Sequence, residues 1–326
     1  MDVLRIFENS NLGSYHRFLE KYEKEYDIKF SDIECEVLQF ISKKLASGKR
    51  IQELLVLKRM IDEFENPPLT EIFAGLNSDL KAVGMCEVSE NQKINLTNVL
   101  MNQFASGSSK DTYSHCVFLE QNGSGYKISE AFETLLKNTP FLEKVREVVE
   151  FGISRYKKNY SDKYKDTDLV LYQKYSYEDV CRLLNWEVNV VSQNIGGYKY
   201  DEKTKTFPVF INYDKSEDIS DTIKYEDRFV DRRSLIAISK APRKLTSNDV
   251  QTFLKAEELG VNVELFIRKN VNDNGSKEFY YMGRMETKGA PAHEFTMPNT
   301  NKTAVELRWT LDVPVREDIY EYIVNC

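Results

Sequence analysis

The stretch YSYEDVCRLLNWEVNVVSQNIGGYKYD, residues 175–201, marks the point where the sequence changes from one kind of structure to another. Its first part pairs Ser176 with Asp179, a combination that caps the start of a helix. Apolar residues follow at helical spacing, up to Trp186. The sequence therefore predicts a short amphipathic helix that buries one stripe and ends at this tryptophan.

The second part of the stretch predicts a strand and then a turn. Residues 187–193, EVNVVSQ, form an apolar run that favours β-structure. Gly196 and Gly197 predict a turn that lets a ligand approach the backbone closely, and Tyr198 projects from it. Two interpretations stay open: a ligand site at this turn, or an ordinary hairpin turn beside a core tryptophan.

The sequence before this stretch is typical of helices. Residues 14–26 repeat apolar positions at helical spacing, Asp32 lies where a helix N-cap belongs, and Gly48 is a suitable helix end. Residues 85–138 predict a helix, two short strands around a Gly-Ser turn, and a second helix, which is the order of a winged-helix-like unit. The polar run 161–168 predicts a domain boundary.

The sequence after residue 168 is mostly of β type. Strands are predicted over residues 206–215, 234–240, 261–269, 277–285 and 305–315, and helices over 247–260 and 316–323. We therefore expect an α+β protein, with an N-terminal helical region over residues 1–165 and a partly closed C-terminal β-barrel over residues 166–326.

Composition excludes several classes of protein. The chain has 326 residues, a net charge of −7 and a pI near 5.3, which argues for more than one domain and against coating nucleic acid with its whole surface. Its five cysteines are odd in number and never form a CxxC pair, so no disulfide framework or zinc ribbon is predicted. The sequence has no N-terminal signal and no long apolar run, so a cytoplasmic protein without a membrane partner is expected.

Sequence motifs for enzymatic chemistry are absent. There is no P-loop and no G-x-S-x-G elbow, and none of the three histidines has a partner at metal-ligand spacing. We therefore assign no catalytic residue, metal or cofactor to this chain. Asp201 and Lys203 fit a short D-x-K pattern, which leaves open a stand-alone metal-dependent nuclease as well as a solvated turn.

Residues 228–244, RFVDRRSLIAISKAPRK, concentrate positive charge in an acidic chain. Against one acid, Asp231, stand six basic residues: Arg228, Arg232, Arg233, Lys240, Arg243 and Lys244. Guanidinium groups match the geometry of phosphate oxygens, and aromatic residues are frequent on both sides of the stretch. This combination suits unstacked nucleotides, whose phosphates need cations and whose bases need an aromatic face. A solvated strand edge is the other interpretation.

Several segments after residue 168 resemble one family. In chain order they are LYQKYSYEDVCRLLNW, NIGGYKYDEKTKTFPVFINYDK, RFVDRRSLIAISKAPRKL, VELFIRK, FYYMGRM and LRWTLDVPV. Together they resemble the C-terminal domain of bacterial helicase proteins that carry phospholipase-D-type nuclease domains, which include modification-dependent (type IV) restriction enzymes of the SauUSI kind. Residues 1–167 resemble, to a lesser degree, the helical region that joins helicase and C-terminal domain in those proteins.

The resemblance implies a DNA-recognition and coupling fragment of an ATP-dependent restriction endonuclease. The partners would be helicase and nuclease domains of the same parent polypeptide, where ATP and Mg²⁺ would also bind. It further implies that residues 166–326 are similar to SRA and PUA-like barrels, which flip a modified cytosine out of duplex DNA. The expected DNA partner is therefore a duplex that contains 5-methylcytosine or 5-hydroxymethylcytosine.

The expected site combines aromatic, polar and basic side chains. Trp186 or Tyr198 is expected to stack on the extruded base, while Gln193, Asn194 or Asp231 reads its Watson–Crick edge. The full set of predicted nucleic-acid-binding residues is Trp186, Gln193, Asn194, Gly196, Gly197, Tyr198, Tyr213, Tyr225, Arg228, Asp231, Arg232, Arg233, Lys240, Arg243 and Lys244. A protein-interaction scaffold, whose helical half docks a helicase, is the remaining alternative.

Overall fold

The computed structural model describes residues 6–7, 10, 12, 15–22, 30–64, 72–123, 125–213, 227–270, 277–297 and 301–325. The chain divides into two compact units. The first comprises Met1–Asp168 and Cys181–Asn189, and the second comprises Leu169–Val180 and Val190–Cys326. The chain therefore enters the second unit, returns to the first for one short segment, and then completes the second.

The first unit is helical. Its described helices are α1 (Tyr15–Tyr22), α2 (Asp32–Phe40), α3 (Gln52–Phe64), α4 (Ile72–Ala82), α5 (Glu90–Leu100), α6 (Ser108–Thr112), α7 (Glu130–Leu136) and α8 (Thr139–Asn159). A π-helical segment, Ile41–Leu45, follows α2, and an antiparallel hairpin of β1 (Leu119–Asn122) and β2 (Gly125–Ile128) separates α6 from α7. The order of helix, hairpin and helix is the one predicted from the sequence.

Capping side chains fix two helix starts in this unit. The Ser31 hydroxyl accepts a hydrogen bond from Glu34 N while the Glu34 carboxylate accepts one from Ser31 N, and Ser89 with Gln92 forms the same arrangement at α5. Each box satisfies backbone N–H groups that have no partner inside the helix. The N-cap of α2 is therefore Ser31, and the prediction of Asp32 was wrong by one residue.

A buried ion cluster joins three parts of the first unit. Glu53 in α3 has a side chain with 0% exposure and accepts hydrogen bonds from Arg50 Nε (2.9 Å) and Nη2 (2.5 Å), while Arg182 Nη1 lies 3.4 Å away. Burial alone raises the pKa of Glu53, but the charges of Arg50 and Arg182 outweigh it and hold the pKa below its usual range. Arg50 also donates to Asn95 Oδ1, and Asn95 Nδ2 donates to Trp186 O.

The second unit is a mixed sheet. Its strands are β3 (Lys174–Tyr175), β4 (Thr206–Asn212), β5 (Arg228–Asp231), β6 (Ser234–Ile238), β7 (Asn262–Arg268), β8 (Phe279–Glu286), β9 (His293–Thr296) and β10 (Thr303–Leu311). The hydrogen-bonded order is β4-β7-β8-β10-β6-β5, with β3 added to β8 and β9 to β10. The β4–β7 pair is parallel and the other pairs are antiparallel.

Short helices accompany this sheet. They are α10 (Ser192–Ile195), α11 (Asn248–Leu254), α12 (Ala256–Leu259) and α13 (Glu317–Val324), and α9 (Tyr177–Leu183) lies where the chain passes from one unit to the other. The predicted single helix over residues 247–260 is two helices, because Lys255 adopts φ −111° and ψ 18° and so leaves the helical conformation. None of the described helices is long and apolar enough to cross a membrane.

Both faces of β4 and β7 are covered, as their continuous apolar sequences require. Alternate side chains point to opposite faces. On one face Phe207 stacks on Phe253 of α11, with ring centroids 4.1 Å apart. On the other face Phe210 stacks on Phe266 at 5.1 Å and contacts Tyr177 at 4.4 Å.

The two end strands of the sheet, β4 and β5, approach each other through one pair of side chains. Within the residues that the structure describes, no ladder joins these strands. The Tyr213 hydroxyl, just after β4, accepts a hydrogen bond from Phe229 N of β5 at 3.4 Å, and the two rings stack with centroids 5.8 Å apart. The α+β class, with a helical N-terminal region and a sheet-rich C-terminal region, is confirmed.

The strand predicted over residues 187–193 is not formed. Residues 187–191 have no regular structure, and the helical turn α10 follows. Asn189 N donates to Phe104 O at 2.8 Å, and the Val188 side chain is 50% exposed. A backbone anchored by an isolated hydrogen bond, with an apolar side chain in solvent, gains none of the ladder or burial that stabilises a strand.

Replacement of Glu53 by Gln should destabilise the protein by about 3–5 kcal/mol, because the change removes the buried charge that compensates Arg50 and Arg182. Urea unfolding followed by circular dichroism measures this loss. The control is Asp62→Asn in the same helix, whose exposed carboxylate pairs with Lys58, and which should cost under about 0.5 kcal/mol. Equal losses in the two variants would contradict the assigned role of Glu53.

Candidate nucleic-acid interface

The turn at Gly196 and Gly197 is held by a lysine side chain. Both glycines are left-handed, with φ +52° and +97°, a conformation that favours glycine. Lys240 Nζ donates to Ile195 O at 2.7 Å and to Tyr198 O at 2.6 Å, the carbonyls on either side of the glycines. The Lys240 ammonium therefore fixes the shape of the turn.

Tyr198 belongs to a buried network beside this turn. Its hydroxyl donates to Asp249 Oδ2 at 2.9 Å and accepts from Lys240 N at 3.1 Å. The same carboxylate oxygen accepts a charge-assisted hydrogen bond from Arg243 Nε at 2.5 Å. Burial and the nearby Asp249 charge raise the pKa of Tyr198, so the phenol stays protonated and able to donate.

Charges are crowded at the turn. Burial lowers the pKa of Lys240, and the positive charges of Arg243 and Lys199 lower it further, while Asp249 opposes them. Burial would raise the pKa of Asp249, but its hydrogen bonds with Arg243 and Tyr198 outweigh this effect and lower the pKa. The carboxylate of Asp249 is therefore an integral partner of the cations.

The side of the turn away from Tyr198 is open. A Cβ atom placed on Gly197 would meet nothing within 4 Å. The side chains of Gln193 and Asn194 in α10 are exposed, and so are those of Lys199 and Lys244. We refer to Gly196, Gly197, Lys199, Lys240, Arg243 and Lys244 as the Gly-turn cluster.

The structure divides the predicted basic stretch between two ends of β6. Lys240, Arg243 and Lys244 follow the strand, whereas Arg232 and Arg233 precede it. Five residues of strand span roughly 15 Å, so these two groups do not form one binding face around a single nucleotide.

The residues that precede β6 are engaged with the protein itself. Arg232 Nε donates to Val315 O at 2.8 Å, and Arg233 Nε donates to Leu311 O at 3.1 Å. Asp231 Oδ1 accepts from Arg233 N at 2.7 Å and from Ser234 N at 2.9 Å, which closes the β5–β6 turn. Reading of a base edge by Asp231 is therefore not supported by its contacts.

Neither aromatic ring that was expected to receive a base is accessible. Trp186 is 2% exposed and belongs to the first unit, where its backbone N–H donates to Cys181 O at 2.9 Å. Tyr198 is 7% exposed, and its ring packs against Phe207 and Phe253 with Lys240 Nζ 4.3 Å from its centroid. Their burial favours the core interpretation that the sequence left open over stacking on a base.

Three further predicted residues lie apart from the Gly-turn cluster. Tyr213 bridges the end strands of the sheet, and Arg228 in β5 lies 3.8 Å from Glu306 of β10. Tyr225 lies outside the described residues. The predicted residues that the structure brings together are Gln193, Asn194, Gly196, Gly197, Tyr198, Lys240 and Arg243, and the exposed Lys244 follows Arg243 in the chain.

The D-x-K pattern forms a turn. Asp201 Oδ2 accepts from Thr204 N at 2.9 Å and from Thr204 Oγ1 at 2.8 Å, and Asp201 forms a β-bridge with Thr206. A search of the described residues finds no group of three or more His, Cys, Asp or Glu side chains that could hold a metal ion. The contacts of Asp201 thus favour the solvated turn over a metal ligand.

Sequence reasoning missed two members of the site. Asp249 is distant from the turn in sequence and could have been suspected only as an acid in the first turn of a helix. Lys199 was visible directly after Tyr198, but it lies outside the basic stretch 228–244 that was singled out by charge density. Both are located by tertiary contacts.

Comparison with known families assigns a separate domain model to each half of the chain. Residues 169–323 match a domain of unknown function, DUF3427, and residues 1–160 match another, DUF8090. None of the curated protein sequences matches the chain.

Solved structures show a low similarity to the chain. The SRA domain of SUVH5 complexed with fully methylated CG DNA has 12% identity and a TM-score of 0.30, over 46% of this chain and 92% of that chain. The sulfur-binding and SRA domains of ScoMcrA complexed with phosphorothioated DNA have 10% identity and a TM-score of 0.31, over 84% and 89%. Arabidopsis thaliana SUVH6 in complex with SAM has 10% identity and a TM-score of 0.31, over 88% and 41%. Similarity at these TM-scores does not establish a common fold, so the site is assigned from its own contacts.

Replacement of Asp249 by Asn should reduce the acid sensitivity of the protein. Because the folded state lowers the pKa of Asp249, its ionised form contributes stability above about pH 4, and this stability is lost as the pH falls through the lowered pKa. Urea midpoints at pH 7 and at pH 3 should therefore differ less for Asp249→Asn than for the wild type. Glu258→Gln, at an exposed position in α12, is the control and should behave as the wild type does. A variant with undiminished pH dependence would contradict the ion pair.

Proposed function

We propose that residues 166–326 recognise duplex DNA that carries 5-methylcytosine or 5-hydroxymethylcytosine, and that the Gly-turn cluster binds its phosphates. The observation that carries the proposal is the open glycine turn that Lys240 holds. Arg243 joins the adjacent Asp249–Tyr198 network, and the exposed Lys199 and Lys244 follow Tyr198 and Arg243 in the chain. Glycine at a turn lets a backbone approach a phosphate closely, and lysine and arginine supply the charge. Neutralisation of phosphates by such cations releases counterions and drives binding to DNA.

Crowding of like charges supports this assignment. The pKa of Lys240 is lowered by burial and by the charges of Arg243 and Lys199, against the opposing charge of Asp249, so the cations of the cluster outnumber the carboxylate that is paired with them. A phosphate placed among the cations would relieve their repulsion. Lys240 itself donates to the carbonyls of Ile195 and Tyr198 and supports the turn, so direct phosphate contacts are assigned to the exposed residues Lys199 and Lys244.

We assign recognition of the base to exposed side chains that precede the glycine turn. Both rings that were expected to receive an extruded base, Trp186 and Tyr198, are buried. The exposed carboxamides of Gln193 and Asn194 carry a carbonyl oxygen that can accept a hydrogen bond from the N4 amino group of a cytosine. Burial of one extra methyl group contributes about 0.8 kcal/mol, or roughly a fourfold preference, so a larger preference requires a shape that excludes the unmodified base or favours the modified one.

We infer the larger assembly from the sequence resemblance. Residues 1–165 would transmit DNA recognition to helicase and nuclease domains of the same parent polypeptide in the cytoplasm, and those domains would bind ATP and Mg²⁺. The SRA-like character of residues 166–326 stays a prediction.

Replacement of both Lys199 and Lys244 by Gln should weaken duplex binding and reduce its salt dependence. Neither side chain supports the turn, so the fold should be retained. Loss of two phosphate contacts should lower the slope of log affinity against log salt concentration by about 1–2. Fluorescence anisotropy of a labelled duplex at several salt concentrations measures this slope.

The matched control is Lys174→Gln with Lys269→Gln, a pair of lysines in the same unit that contact Tyr280 and Tyr322. It should leave the slope for duplex DNA unchanged. An unaltered slope in the Lys199 and Lys244 double variant would remove the Gly-turn cluster from the interface. Failure of the wild type to bind any duplex would favour the protein-interaction scaffold.

A modified duplex should bind more tightly than the identical unmodified duplex, by at least about fourfold if the methyl group is buried. Gel shifts with the same sequence carrying cytosine, 5-methylcytosine or 5-hydroxymethylcytosine measure the preference. Gln193→Ala with Asn194→Ala should reduce the preference and leave the salt slope unchanged. Equal affinity for all three duplexes would contradict modification-dependent recognition.

A further inference from the structure

Three tyrosines of the second unit form a half-exposed aromatic surface outside the Gly-turn cluster. They are Tyr172 before β3, Tyr280 in β8 and Tyr322 in α13, and each packs one side against the core of the unit. The rings of Tyr280 and Tyr322 have centroids 6.2 Å apart and meet at an interplanar angle of 73°. These rings are neither core residues nor freely solvated ones, since each keeps part of its surface in solvent.

Each of these rings has a cation beside it. The distances from cation to ring centroid are 5.1 Å for Arg316 and Tyr172, 4.5 Å for Lys174 and Tyr280, and 5.5 Å for Lys269 and Tyr322. Arg316 lies over the Tyr172 ring and is paired with Asp318, whose hydrogen bond raises the pKa of Arg316. We refer to these three tyrosines and three cations as the tyrosine–cation surface.

The backbone holds Tyr172 in a strained conformation. Its φ is +66°, in the left-handed region that is rarely adopted by bulky residues. Tyr172 N donates to Tyr281 O at 2.8 Å, and the Tyr172 hydroxyl donates to Pro314 O at 3.0 Å. Strain of this kind persists where the surroundings enforce it, and it is concentrated at functional sites. The position of the ring is therefore fixed by two hydrogen bonds, one from the backbone N–H of Tyr172 and one from its hydroxyl.

Cations and acids both lie beside these rings, and Arg232 Nη1 is 3.8 Å from Glu317 Oε2 of α13. Arg232, which precedes β6, is close enough to Tyr172 for its charge to lower the pKa of the phenol against the opposing effect of burial. The carboxylate of Asp318 is paired with Arg316, with hydrogen bonds of 2.6 and 2.9 Å. Aromatic rings alternating with cations are the composition of surfaces that bind unpaired nucleotides, because bases stack on the rings and phosphates contact the cations.

We propose that the tyrosine–cation surface binds a short single-stranded nucleic-acid segment, whose unpaired bases stack on Tyr172, Tyr280 and Tyr322. A proline-rich peptide also binds aromatic surfaces, but it uses the rings alone. A cation beside every ring favours a polyanion. Arg232, which is near Tyr172 of this surface, precedes β6, whereas Lys240, Arg243 and Lys244 of the Gly-turn cluster follow that strand. Because the two sites share no residue, each can be tested with its own variants.

Replacement of Tyr280 by Leu tests the proposal, with Tyr280→Phe as the matched control. Stacking of a base on an aromatic ring is worth enough that loss of one ring should weaken binding of a labelled oligothymidylate about 5- to 100-fold, while Tyr280→Phe keeps the ring and should stay within about twofold of the wild type. Fluorescence anisotropy measures both affinities, and thermal unfolding verifies that each variant is folded.

A second pair of variants keeps the test decisive if Tyr280→Leu unfolds. Lys174→Gln with Lys269→Gln should lower the salt slope for the oligothymidylate by about 1–2, while Lys255→Gln with Lys288→Gln, at exposed positions outside both clusters, should leave it unchanged. Wild-type affinity in a folded Tyr280→Leu variant would overturn the proposal. An equal loss of affinity in Tyr280→Phe, or an unchanged salt slope in the Lys174 and Lys269 double variant, would also overturn it. Binding of a proline-rich peptide by a protein that does not bind the oligothymidylate would overturn it as well.

Discussion

The hydrogen bonds of one ammonium group, that of Lys240, determine the form of the candidate interface. The group joins the carbonyls of Ile195 and Tyr198 across two left-handed glycines and lies 4.3 Å from the Tyr198 ring centroid. Lys240 N also donates to the Tyr198 hydroxyl, whose own proton goes to Asp249. A single residue therefore connects the turn, the core and the start of α11. Because these contacts occupy the inner side of the turn, any ligand must approach from the open side, next to Gly197.

The arginines at the other end of the basic stretch also combine structural hydrogen bonds with a positive charge. A guanidinium group has five donors, so it can satisfy backbone carbonyls and keep its positive charge at the surface. Arg232 and Arg233 donate to the carbonyls of Val315 and Leu311 in this way. Structural support and phosphate binding are thus compatible roles for one side chain. They also give the unit two charged regions, one at each end of β6, and each is built around tyrosine.

Much of the fold could be predicted because it follows from local patterns. The helix, hairpin and helix in the first unit and the strands β4, β6, β7, β8 and β10 lie where periodicity and turn residues placed them. The run 187–193 was misassigned because apolar content alone does not supply a pairing partner. The sequence left two interpretations of Trp186 open because its environment is made by distant residues: Asn95 binds its carbonyl, and Arg50 binds Asn95.

The candidate site could be predicted in part. Gly196, Gly197 and the cations after β6 were identified by residue type, since glycine and charge are local signals. The accessibility of a ring is not local. The sequence prediction singled out Tyr198 and not Tyr280, yet Tyr198 is buried by Phe207 and Phe253 while Tyr280 is only partly buried. The pairing of Asp249 with Tyr198 and Arg243 likewise depends on how α11 packs, which no spacing along the chain reveals.

Hydrogen exchange of the backbone amides, with and without a duplex that carries 5-methylcytosine, tests the central claim most directly. A phosphate bound at the open side of the turn should slow exchange at residues 193–199 and 240–244. Bound DNA that leaves exchange in both segments unchanged, and protects other surfaces instead, would contradict the assignment of the Gly-turn cluster as the phosphate-binding site.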